Sequence, residues 1–221
     1  MNYTWDFSPV WRNFGLLLDG LVGTLAITAV ALVVGLALGL LAAAGRLSRS
    51  VALARVAQGY IAVFRSTPPL VQLFWVFYAL PILLQLRLDP FMAAAITLSL
   101  QSGAFFAEVF RGGIVSIERG QWEAGRAIGM GYATLMRRII LPQAIKRMMP
   151  AFLERVVELM KTTSLVSSIA YADLLFQGMR ISVETFRPLE VFTVVALMYF
   201  VVLFSISMAV RVLEARLARA G

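Results

Sequence analysis

The sequence predicts an all-α integral membrane protein with five transmembrane helices. Three observations point there. Of the 221 residues, 60% are hydrophobic and only 14% are charged, where a soluble domain carries about 25% charged residues. Residues 20–45 form an uncharged run of 26 residues, longer than the ~20 needed to cross a hydrocarbon core. Further apolar segments follow, and the basic residues gather between them.

The segments follow in order. Met1 to Asp19 is a polar-aromatic lead-in, an extracytoplasmic N-terminal segment whose Trp5, Phe7, Trp11 and Phe14 suit an interfacial anchor. Arg12 stands alone there beside Asp6, so the first span is expected to be retained rather than cleaved. In that span Gly35-x-x-x-Gly39 either allows close helix approach or reflects the abundance of Gly in membrane helices. The second segment, 56–84, holds Thr67-Pro68-Pro69. Two prolines in mid-span remove backbone donors and break the helix. Broken backbone at that depth either lines a path, with Arg65, Thr67 and Gln72 as candidates, or is a packing kink. The third span, Pro90 to Phe110, ends near a Glu108–Arg111 pair at i,i+3 spacing. Pro150 to about Gln177 is the fourth segment, and about Val191 to Val210 the fifth.

Five spans put the termini on opposite sides. One set of loops holds 13 basic residues and the other 4. The excess marks the cytoplasmic side, which places the C-terminus inside and the N-terminus outside.

The fourth segment is the most polar. Glu154, Glu158, Lys161, Leu165 and Ser168 step by four and three residues, one face of a helix. Charges in lipid cost several kcal/mol, so that face must meet a bundle, a partner or water. It offers both signs of charge, as a zwitterionic solute requires. Lys161, Thr163, Ser164 and Glu158 are the candidates. The alternative is self-compensation through i,i+3 pairs, Glu158 with Lys161 and Arg155 with Glu158.

Between the third and fourth spans lies Glu118 to Arg147, ERGQWEAGRAIGMGYATLMRRIILPQAIKR. Gly120 can cap a short helix with Glu123 in its first turn. Gly129 and Gly131 end it. Tyr132 to Ile140 reads as a second short helix, and Pro142 as the first residue of the next. The result is a compact basic bracket on the membrane surface, there to dock a partner or to lie on anionic lipid.

The chain contains neither Cys nor His. That excludes disulfides and thiolate sites, and largely excludes zinc enzymes and His-based general bases. It has no G-x-x-x-x-G-K-[ST] loop, and neither of its lysines, Lys146 and Lys161, follows Gly. It is therefore not itself a P-loop ATPase.

Glu123-Ala124-Gly125, Gly129, and Ile139-x-Leu141-Pro142 resemble the EAA loop of type I ABC importer permeases. Only Gly125, where the pattern has Ala, departs from it. Phe64-Arg65-Ser66-Thr67-Pro68, Ala107-Glu108, Arg111-Gly112-Gly113-Ile114 and Thr163-Ser164-Leu165 are similar to the polar amino-acid branch. Thr162 and Glu154-Arg155 depart from that branch's usual fourth span.

The resemblance implies a type I ABC importer fold, with a transmembrane domain over 20–214 and a cytoplasmic tail over 215–221. It implies that Glu123, Ala124, Gly125, Gly129, Ile139, Leu141 and Pro142 form the dock for two ATP-binding subunits, which would hold the ATP and Mg. No cofactor is expected in this chain. The implied partners are a second permease, identical or related, an extracytoplasmic solute-binding protein and a polar amino acid. The implied location is a bacterial inner membrane, with no nucleic acid involved. An ion-gradient-driven secondary transporter, or a permease for another small solute, is the competing function.

Overall fold

The computed structural model describes residues 3–219, with side chains through Met208. All described secondary structure is helical. The elements are α1 (Ser8–Arg12), α2 (Phe14–Arg46), α3 (Val51–Ser66), α4 (Pro69–Leu84), α5 (Pro90–Val115) and α6 (Arg119–Ala127). Then come α7 (Tyr132–Leu135), α8 (Leu141–Thr162), α9 (Leu174–Thr185) and α10 (Pro188–Arg219). Among the described residues, α2, α5 and Pro188–Met208 of α10 are long and apolar enough to span a membrane. The pair α3 and α4 makes a fourth if counted as one broken span. The side chains of the expected basic tail, Arg211, Arg216 and Arg219, lie outside the described ones.

Two compact units share the longest helices. The first takes the chain up to Val33, Pro68–Ser99 and Val157–Met208. The second takes Val34–Thr67, Leu100–Val156 and the end of α10.

In the first unit, Ile27 and Ala31 pack with Leu73, Val76, Ala94, Leu98, Leu159 and Val166. A second apolar cluster joins Val10 and Leu17 to Leu174, Ile181, Val191 and Val195. Two glycines let α2 approach the turn before α9. A Cβ on Gly20 would meet the Asp173 carbonyl at 2.8 Å, and one on Gly23 the Ala172 carbonyl at 2.8 Å. Lipid supplies no hydrophobic drive between helices, so such contacts rest on close packing and polar bonds. Both are present. Leu174 N–H donates to the Thr24 hydroxyl at 3.1 Å, and the Tyr171 hydroxyl donates to the Gly23 carbonyl at 3.1 Å.

In the second unit, the Gly35-x-x-x-Gly39 pair is a close-approach surface. A Cβ on Gly35 would meet Ser102 Oγ at 2.3 Å, and one on Gly39 would meet Phe106 Cβ at 2.7 Å. Gly103 answers from α5, 2.8 Å from Leu38 Cβ by the same measure.

The chain breaks at Thr67-Pro68, where both residues are extended (ψ 139 and 135). Two other prolines break nothing. Pro81 and Pro142 each follow a π turn, Trp75–Ala79 and Met136–Ile140. The residue before each proline donates five residues back, Leu80 to Trp75 and Leu141 to Met136. The wider turn makes room where a proline ring would crowd the preceding carbonyls and where its N–H is missing.

This corrects three expectations. Pro142 does not open a helix; it continues one that runs from Tyr132 through the π turn into α8. Pro150 does not open the fourth segment either, and lies inside α8. That segment is not one helix to Gln177. It changes to a 3-10 helix over Thr163–Ile169, and Ala170 then takes a left-handed conformation (φ 58). Leu165 and Ser168 therefore leave the α-helical face carrying Glu154, Glu158 and Lys161.

Candidate functional site

The bracket folds around its own small core in the second unit. Ile117, Leu135, Ile140 and Ala144 are buried there, with Trp122, Met130 and Met136 packed on them. Helix α6 starts at Arg119 with Glu118 as the extended cap residue. Gly120 is therefore inside the helix, and Glu123 sits in its second turn rather than its first. The Glu118 carboxylate does not cap; it lies 3.4 Å from the Arg147 guanidinium, which also bonds the Ser116 carbonyl. The helix ends in a Schellman motif. Met130 N–H donates to Gly125 O at 3.0 Å and Gly129 N–H to Arg126 O at 2.9 Å, with Gly129 at φ +80. Gly131 does not end α6; it caps α7.

The predicted docking residues divide by exposure. Glu123, Ala124 and Pro142 are exposed. Gly125 is buried, and a Cβ there would meet Leu135 Cδ1 at 2.3 Å. The pattern's usual Ala is thus replaced where Leu135 fills the space. Gly129 supplies the left-handed turn. Ile139 and Leu141 are half-buried, and Ile139 packs on the bracket core. Sequence reasoning missed Ile128 and Tyr132, 76% and 61% exposed, five and nine residues after Glu123. The available signal was their failure to join any helical stripe.

A second charged group in the same unit surrounds Phe105. Glu108 accepts from Arg111 Nη2 at 2.8 Å and Nε at 3.1 Å, the pair expected from spacing, and lies 3.9 Å from Arg65. The guanidinium carbons of Arg65 and Arg155 lie 5.5 and 4.6 Å from the Phe105 ring centroid. Thr67 is exposed, and its hydroxyl bonds the Val63 carbonyl. Gln72 is buried in the first unit.

The polar stretch beyond α8 belongs to the first unit. Its hydroxyls turn back on their own backbone. Thr162 donates to the Glu158 carbonyl, Thr163 to Met160, Ser164 to Lys161, Ser167 to Ser164 and Ser168 to Leu165, all at 2.6–2.9 Å. Such local bonds compete with regular α-helix and accompany the switch to 3-10. Thr163 is fully buried with its one hydroxyl proton given to Met160. Lys161 and Ser164 instead line a cavity of ≈ 390 Å³, walled by Leu175, Phe192, Val195 and Tyr199. Lys161 and Glu158 are exposed and, among the described residues, form no ion pair with each other or with Glu154.

Sequence reasoning also missed Asp173. It is fully buried and caps α9, taking Phe176 N–H at 2.9 Å and facing the Tyr199 hydroxyl at 3.4 Å. An Asp just before the apolar Leu174-Leu175-Phe176 is a readable cap signal. The N-terminal lead-in is held in the same unit by another buried acid. Glu190 accepts from the Tyr3 hydroxyl at 2.5 Å and from Asp6 N–H at 3.0 Å.

Residues 35–219 match the family described as binding-protein-dependent transport system inner membrane component. The chain belongs to that family. Relatives in the family include the glutamine transport system permease protein GlnP of Escherichia coli (strain K12), 38% identical over 96% of this chain and 97% of that protein. The arginine transport system permease protein ArtQ of Bacillus subtilis (strain 168) is 34% identical over the same shares. A crystal structure of an amino acid ABC transporter with histidines superposes with a TM-score of 0.92 at 34% identity, covering 97% of this chain and 100% of that one. The MetNI methionine ABC transporter in an inward-facing conformation has the same fold, with a TM-score of 0.75 at 21% identity. The all-helical chain is thus a multi-pass permease component of an ABC importer with the type I fold.

Proposed function

We propose that this permease moves a polar amino acid into the cytoplasm and leaves ATP hydrolysis to separate subunits. The observation that carries the solute reading is the cavity at Lys161. An unpaired ammonium and the Ser164 hydroxyl share it with apolar walls. A lysine that forms no ion pair among the described residues is suited to the carboxylate of an amino acid, and the apolar walls strengthen that charge–charge contact. The relatives' names, glutamine and arginine permease, agree with a solute of that class. Thr163 supports this wall from within rather than touching solute, because its hydroxyl is committed to the backbone. Glu158 stands one turn before Lys161 as the candidate for the ammonium. Arg65, Thr67 and Gln72 keep a lesser place as path candidates, since Arg65 is engaged with Glu108.

The chain is not itself an enzyme. Two ATP-binding subunits hold ATP and Mg and dock on the bracket. Glu123, Ala124 and Pro142 offer the polar and small contacts, and Ile128 and Tyr132 the apolar ones. Gly125, Gly129, Ile139 and Leu141 shape the dock without facing the partner. ATP binding draws two brackets together, one from this permease and one from an identical or related copy, and the spans alternate between outward and inward states. A solute-binding protein delivers substrate outside, where the N-terminus lies, and the bracket and C-terminus are cytoplasmic.

The test is a pull-down from the native membrane in mild detergent, with uptake measured in parallel. An ATP-binding subunit is expected to accompany the wild-type chain. Glu123→Lys reverses the charge on the exposed face of α6, and is expected to lose that subunit and uptake while membrane insertion persists. A chain that comes down alone, yet moves amino acids in proteoliposomes under an ion gradient, overturns the reading in favour of a secondary transporter.

A further inference from the structure

The guanidinium cluster of the second unit has more positive charge than its own carboxylate can meet. Two adjoining cavities, ≈ 350 and ≈ 410 Å³, share Arg65, Phe105 and Glu108. Arg147 and Arg155 line the first, and Arg46 lines the second. Arg147 is paired with Glu118, so Arg46, Arg65 and Arg155 share one carboxylate, and that carboxylate is already held bidentately by Arg111. Arg155 has no acid within 4 Å among the described residues and rests only on the face of Phe105. Arg46 donates to Gln58 at 3.0 Å through Nη1, but its buried Nε has no hydrogen-bond partner. A buried donor gains from an acceptor, and this N–H is left for one. Apolar Val109, Met148 and Ala151 line the first cavity and Ile61 and Ala62 the second, and the helices that carry Arg46 and Arg65 expose apolar side chains beyond them. Val56 and Val63 on α3 are 72% and 58% exposed, and Leu40 and Leu41 on α2 are 57% and 71% exposed.

We propose that this cluster binds a phosphate-bearing anion, filled in the membrane by the head group of an anionic phospholipid. Guanidinium forks match phosphate oxygens in pairs, and Arg is the side chain best suited to that geometry. Basic pockets between membrane helices are a setting in which lipid head groups are held. The exposed Val and Leu side chains on α2 and α3 give the acyl chains a surface to follow. Phe105 keeps the Arg65 and Arg155 side chains in place, so less rotamer freedom is lost on binding. This site is separate from the Lys161 cavity and does not rest on the solute assignment above.

The experiment uses the purified transporter with its co-purifying subunits, washed free of lipid in detergent. Phosphatidylglycerol and phosphatidylcholine are added in turn, and retained lipid is read by native mass spectrometry. Wild type is expected to retain phosphatidylglycerol in preference to phosphatidylcholine. Arg65→Gln and Arg155→Gln are each expected to weaken that retention about fivefold. Arg155→Lys, which keeps the charge and loses the fork, is expected to fall between them and wild type. Arg180→Gln, far from these cavities in sequence and outside their lining, is expected to change nothing. A thermal melt identifies any variant that has lost its fold. Inorganic phosphate is titrated by calorimetry into the same lipid-free protein. Saturable phosphate binding lost in Arg155→Gln, without a preference between the two lipids, keeps the site and assigns it to a free phosphate. Equal retention of both lipids with no phosphate binding overturns the proposal. So does displacement by a polar amino acid, which would assign the cavity to the transported solute.

Discussion

Glu108–Arg111 and Glu158–Lys161 are the same pattern, an acid three residues before a base on a helix. The first pair closes at 2.8 Å and the second does not close. The difference lies in what surrounds each pair. Glu108 is 22% exposed at its side chain and sits beside Arg65 and the Phe105 ring. Partly removed from water, those charges gain more from each other than they lose in side-chain freedom. Glu158 and Lys161 are exposed, and there an ion pair gains little over hydration and rotamer entropy. The first pair is therefore structural, and the second leaves a cation available. Spacing nominates a pair, and burial decides whether it forms.

The comparison breaks first at Glu108. Glu108→Gln leaves Arg111 and Arg65 facing each other without a carboxylate. It is expected to cost about 2 kcal/mol, read as a lower Tm of the purified transporter. Wild-type stability would place Glu108 with the dispensable surface charges. Lys161→Ala is expected to raise the solute concentration for half-maximal uptake about tenfold, the loss of one charge-assisted bond, with Tm unchanged. An unchanged concentration dependence with a lowered Tm would make Lys161 structural instead. The smallest effect is expected at Glu158. Glu158→Gln should change unfolding stability by less than about 0.5 kcal/mol, and a double-mutant cycle with Lys161→Ala should show no coupling energy. Coupling there of about 1 kcal/mol or more would mean that the two side chains meet after all.

Much of the fold was legible in the sequence because apolar runs and glycine pairs act locally. The long run ending at Gly45 became α2, which begins earlier, at Phe14, because the aromatic lead-in continues its helix. Gly35 and Gly39 could be read as an approach surface, but not which face of α5 they would meet. The break at Thr67-Pro68-Pro69 was legible, but Pro142 and Pro150 were misread as helix starts. A proline in sequence signals a break, yet Pro81 and Pro142 sit in continuous helix behind π turns, and no residue pattern announces a five-residue hydrogen bond. Spacing alone also could not tell which bracket residues face a partner. Gly125 and Glu123 are two positions apart in one motif, yet one is buried under Leu135 and the other is in water. The Arg46, Arg65, Arg147 and Arg155 cluster was not legible at all, since it draws on three separated helices, α2, α3 and α8. Asp173 was overlooked because the fourth segment was read as one helix through it.

The Schellman turn at Gly129 and the core beneath it have a mechanical consequence. A hinge would absorb a push as bending. Here the joint between α6 and α7 is closed by two hydrogen bonds, pinned by Met130 and backed by Leu135, and α7 runs without interruption into α8. On the proposed docking, a load applied at Glu123 would meet a stiff elbow, and little of the stroke would be lost to compliance before it reached the start of α8.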